Sequence, residues 1–79
     1  MVEAYVLIQA KPGPAGQGVS KEVATVEGVT SAEDVSGPYD VIARAQARNL
    51  DELASLVVAR IQLLEGVTRT LACPVIHLG

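Results

Sequence analysis

The chain has 79 residues, 49% of them hydrophobic and only 3% aromatic, with a net charge of -3 and a single cysteine. That is one domain near the size at which folding buries only about 60% of the unfolded surface, and with no disulfide possible inside the chain, self-association is the expected further source of stability. The acidic balance, with two Tyr and no Phe or Trp, counts against nucleic acid as a direct partner, because neither phosphate attraction nor base stacking is provided for. No apolar run reaches the roughly 18 residues of a membrane span, and the amino terminus lacks the basic segment and apolar core of a signal peptide. A cytoplasmic protein without a membrane partner is expected.

VEAYVLIQA (2–10) predicts a strand with Val2, Ala4, Val6, Ile8 and Ala10 on one face and Tyr5 and Leu7 on the other. KPGPAGQG (11–18) is a loop rich in breakers. Its GQG precedes a helix, but Lys21 stands where a dinucleotide loop needs its third glycine, so the glycines are read as turn residues. Val19, Val23 and Val26 then recur at helical spacing until Glu27-Gly28 stops the segment.

VTSAEDVS (29–36) reads as a polar strand, Gly37-Pro38 as a turn, and YDVIARAQA (39–47) as the returning strand of a hairpin. Tyr39, Val41, Ala43, Ala45 and Ala47 share one of its faces. Behind Asn49 as a candidate cap, Leu50, Leu53, Ala54, Val57, Val58, Ile61 and Leu64 follow the helical period. Glu65-Gly66 ends that helix, and VTRTLACPVIHL (67–78) predicts a last strand whose Pro74 belongs at a sheet edge.

The tetrapeptide Glu-Gly-Val-Thr occurs twice, at 27–30 and 65–68, which is 65 - 27 = 38 positions apart. Each copy falls between a helix and a strand. The order strand, helix, strand, strand, helix, strand is the ferredoxin-like βαββαβ arrangement, an α+β domain with a four-stranded antiparallel sheet and two helices on one face. Each copy is then the helix-to-strand corner of one half.

The other sheet face would carry Tyr5, Leu7, Ile42, Leu71, Cys73 and Val75, a patch that implies a partner surface. A homodimer packed sheet against sheet is the simplest symmetric answer.

Little in the sequence points to catalysis. Cys73 and the only histidine, His77, would stand about 13 Å apart along a strand, too far to share a metal within one chain. They read as a buried thiol and a surface imidazole, with a metal bridged between subunits as the alternative. No cofactor and no metal site within the chain are expected. Glu33-Asp34 and Asp51-Glu52 read as a solvated strand and a first helical turn.

SGPYD (36–40) is the richer segment. Asp40 offers a carboxylate for an ammonium group, and turn amides can hold a carboxylate, which together would recognise a free amino acid. A plain turn with an exposed Asp explains the same residues.

These pieces together resemble a family. KPG (11–13), VEGVTSAEDVSGPYDVIARAQA (26–47), LDELASLVVARIQLLEGV (50–67) and TRT (68–70) are similar to the RAM domain, the effector-sensing module of Lrp/AsnC transcription regulators. The resemblance covers essentially the whole chain. It implies sheet-to-sheet dimers, often assembled into rings, with amino-acid effectors held where dimers meet.

By that resemblance the effector-binding residues are Gly37, Pro38, Tyr39, Asp40, Thr70 and Ala72. Ala72 stands where relatives commonly carry a second threonine. Full-length members begin with a helix-turn-helix domain, whereas the first strand here starts at Val2, so a single RAM domain over residues 1–79 without its own DNA-binding part is expected.

The expected role is an amino-acid sensor acting on transcription indirectly, by itself or with full-length Lrp/AsnC regulators. A partner that only assembles and binds no ligand is one alternative. The other is a cofactor-free ferredoxin-like enzyme, which would need polar groups between helices and sheet where this chain has Val, Leu and Ala.

Overall fold

A computed structural model describes residues 1–77. Strands β1 (Val2–Ala10), β2 (Val29–Asp34), β3 (Val41–Ala47) and β4 (Val67–Pro74) form one antiparallel sheet in the order β2-β3-β1-β4. Helices α1 (Val19–Ala24) and α2 (Leu50–Leu56) connect them. This is the expected ferredoxin-like topology, and Pro74 lies on an edge strand, where its missing N–H costs no ladder bond.

Alternation along β1 and β3 builds the core. Ala4, Val6 and Ile8 lie opposite Ala45, Ala43 and Val41, and all six are buried. Val19 and Val23 from α1, and Leu53 with Val57 and Ile61 from the second helical segment, close over that same face. Small alanines on β3 let both helices approach the sheet, so a core without Phe or Trp still packs.

Several boundaries differ from the sequence pattern. Within the loop 11–18, Gly13–Gly16 forms a 3-10 turn. The first helix stops at Ala24, and the bonds Val26 N to Val23 O and Val29 N to Val26 O carry the chain into β2 as consecutive tight turns.

β2 ends at Asp34 and β3 starts at Val41. Tyr39 and Asp40 therefore precede the strand, because Asp40 N donates to Ile8 O at 2.9 Å and Asp40 O accepts from Val35 N. β4 ends at Pro74, although Val75 N still donates to Glu3 O at 2.8 Å. Leu78, the end of the predicted strand, lies outside the described residues.

The second helix continues beyond Leu56 as a π-helical turn, Val57–Ile61, with Gln62 N donating to Val57 O. Leu53, Val57 and Ile61 are four residues apart. In a regular helix that spacing drifts around the axis, and the wider π turn offsets the drift, so all three side chains stay buried.

The helix start is capped as expected. Asn49 Oδ1 accepts from Glu52 N at 2.8 Å, and Arg48 pairs with the Glu52 carboxylate at 3.0 Å. Asn49→Ala is expected to cost about 1 kcal/mol, read as a lower urea midpoint with unchanged slope.

The two Glu-Gly-Val-Thr copies close their corners with the same hydrogen bonds. Val29 N donates to Val26 O and Val67 N donates to Leu64 O, both at 3.0 Å. Gly28 O accepts from Gln46 N at 2.7 Å, while Gly66 O accepts from Lys11 N at 2.8 Å. Each glycine carbonyl thus ties its corner to the chain beside it.

Candidate functional site

The turn before β3 is tied down from β1. Gln9 Nε2 donates to Pro38 O at 3.0 Å, and Ala10 N donates to Asp40 Oδ2 at 2.8 Å. The regular pairing of β1 with β3 ends at Ile8 and Val41, so the amide of Ala10, two residues further on, has no ladder partner on β3 and is met by the carboxylate instead. Asp40 is therefore a structural acceptor through one oxygen, its own amide is used by Ile8, and the second carboxylate oxygen has no partner among the described residues. Tyr39 is half-buried; Gly37, Pro38 and Asp40 are exposed.

Thr70 lies at the same end of the sheet. It pairs with Ile8 on one side of β1 as Val41 does on the other, so it stands about 10 Å from β3 across two strand spacings. Its hydroxyl accepts from Gln62 Nε2 at 2.6 Å. Gln62 escaped the sequence reading because its partner is eight positions away and the link depends on the π turn.

Ala72 sits opposite the buried Val6, on the helix side of the edge strand, and is itself exposed because neither helix reaches that far. The turn and the start of β4 thus share one end of the sheet, with β1 between them, and Ala72 lies further along β4. Neither of the two hollows described below is lined by any of these six residues.

The uncovered sheet face has an apolar row and a charged neighbour. Leu71, Leu7 and Ile42 lie side by side across β4, β1 and β3, and Cys73 lies beside Tyr5. Tyr5 and Leu71 are 42% and 48% exposed, which is high for residues of an apolar row. Cys73 is exposed rather than buried, since no helix covers this side, and His77 is exposed as expected.

Opposite Tyr5, Arg44 stacks its guanidinium over the ring at 5.2 Å and pairs with Glu3 at 3.0 Å. The hydrogen bond to Glu3, then the fields of Tyr5 and Glu3, hold Arg44 above its ordinary pKa. A hollow of about 230 Å³ on this face is lined by Tyr5, Ser31, Glu33, Val35, Ile42 and Arg44, with Ala43 beneath.

A second hollow, about 320 Å³, lies at the opposite end of the sheet, between the first Glu-Gly-Val-Thr corner and α2. Among the described residues, no three His, Cys, Asp or Glu side chains are grouped as metal ligands, and no helix is long and apolar enough to cross a membrane.

Known proteins share this architecture. The protein TTHA0845 of Thermus thermophilus is 30% identical and superimposes over the whole chain and 98% of its own, with a TM-score of 0.88. A transcriptional regulator of Neisseria meningitidis, NMB0573, crystallised with L-Met, shares the fold at 16% identity and a TM-score of 0.85, matching 96% of this chain and 50% of that one.

In sequence, an uncharacterized HTH-type transcriptional regulator of Pyrococcus furiosus is 29% identical over 69 residues, which are 85% of this chain and 46% of the relative. The chain therefore spans about half the length of the curated relatives it matches. The model of the Lrp/AsnC ligand binding domain matches residues 3–77, and the chain belongs to that family.

Proposed function

We propose that this domain senses a free amino acid or a related small effector at interfaces between copies of itself, and adjusts transcription of amino-acid metabolism through those assemblies. The observation that carries the reading is the anchored turn at Gly37–Asp40, held at the same end of the sheet as Thr70 by bonds from Gln9 and Ala10. Such bonds preorganise a site, and preorganisation lowers the cost of binding.

The L-Met complex of the Neisseria regulator supports an amino acid as the class of effector. Gly37, Pro38, Tyr39, Asp40, Thr70 and Ala72 are the proposed contacts, with Gln62 added through its bond to Thr70. We assign the domain no catalytic role and no cofactor.

Calorimetry with the twenty common amino acids, combined with light scattering, tests this reading. At least one is expected to bind and to change the assembled mass; no heat with any of them removes sensing and leaves assembly.

That outcome would favour the second reading, a partner that only oligomerises with a full-length regulator. It has its own support: Asp40 and Thr70 already have intramolecular partners, and position 72 lacks a hydroxyl. It predicts co-purification with such a regulator and no ligand.

In both readings a second copy covers the row Leu71–Leu7–Ile42, and dimers assemble further into a ring. Because Leu71 supports little of the single chain, Leu71→Glu is expected to leave the circular dichroism spectrum unchanged and to shift sedimentation equilibrium from dimer to monomer. An unchanged mass places the interface elsewhere.

A further inference from the structure

The hollow between α2 and the first Glu-Gly-Val-Thr corner is distant from the turn and β4 residues discussed above. Glu52, Ser55, Leu56, Ala59 and Arg60 line one wall, and their spacing of three and four residues puts them on one stripe of the helix. Gly28, Gln46 and Ala47 form the facing wall, with Glu27 at the rim. The small side chains at Ser55 and Ala59 leave the space open, and its volume of about 320 Å³ is at the lower end for small-molecule sites.

Its charges are unequally committed. Glu52 is occupied by Arg48, which donates to both carboxylate oxygens through its side chain and to one through its backbone N–H. The side-chain bond, opposed by a little desolvation and helped by the backbone bond, holds the Glu52 carboxyl below its usual pKa. As a depressed carboxylate, Glu52 keeps this clamp at neutral pH and loses it only on acidification through its lowered folded pKa. Among the described residues, Arg60 and Glu27 have no ion-pair partner. The hollow thus offers one free guanidinium and one free carboxylate, with Ser55 on its helix wall, while the Gln46 side-chain amide is turned to Glu3 at 3.4 Å.

We infer that this hollow is a second binding site for a small zwitterion of the α-amino-acid class, with Arg60 receiving the ligand carboxylate and Glu27 its ammonium group. A guanidinium matches a carboxylate in a two-point fork, and a lone carboxylate is the natural acceptor for an ammonium group. The site uses residues of one chain, so it does not depend on the interface sites of the preceding proposal.

The test is a titration of the ¹⁵N-labelled protein with each of the twenty common amino acids, followed by amide correlation spectra. Saturable shifts are expected at Gly28, Ala47, Ser55 and Ala59 with at least one of them. Arg60→Gln and Glu27→Gln, both at exposed positions, should each weaken those shifts about tenfold or more. The methyl ester and the N-acetyl derivative of the same amino acid should weaken them likewise, since each lacks one charge.

Saturable shifts confined to residues 37–40 and 68–72 would overturn this inference and leave the interface reading standing. Unchanged affinity in both variants would also overturn it. No saturable shift with any amino acid would overturn both readings.

Discussion

Ile8→Ala is expected to destabilise the domain by about 2–5 kcal/mol, read from the urea midpoint. Ile8 is fully buried, flanked by Val41 and Thr70 in the sheet and covered by the helices. No aromatic ring lies in the buried cluster to settle into the space, so much of the cavity would persist. A domain of this length has about 4–12 kcal/mol in total, so the substitution would remove a large share of its stability. Leu7→Ala, one position away on the uncovered face, should affect the single chain far less. Its effect should grow with protein concentration if a second copy covers that face.

Gly28→Ala is expected to cost about 2–4 kcal/mol, combining the left-handed backbone penalty with overpacking. Gly28 has φ of 98°, and an added Cβ would overlap Leu56 Cδ1 and stand 3.0 Å from Gln46 O. The helix would have to retreat from the corner, so the same variant should also change the hollow beside it. Gly66 occupies the equivalent place in the second copy for a different reason. Its φ is not positive, but a Cβ there would meet Val19 Cγ2 at 2.6 Å and Ala15 O at 2.8 Å. Gly66→Ala should therefore cost about 1–3 kcal/mol through crowding alone. Thermal unfolding of both variants checks the order; a larger loss at Gly66 would contradict the backbone argument.

That contrast shows how far the sequence could be read. The repeat announced two equivalent corners, and their hydrogen bonds are equivalent. The identical letters suggested one backbone reason for both glycines, whereas the second is fixed by what the first helix and the loop before it place nearby. A packing constraint of this kind comes from residues about 50 positions away along the chain and leaves no local signature.

The candidate site divides in the same way. SGPYD stood out by composition, and its position beside β1 follows from the topology. That Asp40 would be engaged by Ala10 N depended on the β1–β3 pairing stopping at Ile8 and Val41, and strand ends have no reliable sequence mark. Gln62 reached Thr70 only through the π turn, and Arg60 and Glu27 share a hollow because Gly28 lets Leu56 come close.

The sequence by itself determined the order of the elements, the faces of β1 and β3, the Asn49 cap and the edge position of Pro74. These follow from periodicity and from backbone chemistry that acts within a few residues. Only the tertiary structure decided where the strands stop, which carboxylates already have partners, why each glycine is needed and where open space remains. Those depend on distances between segments, set by packing across the sheet rather than by neighbours along the chain.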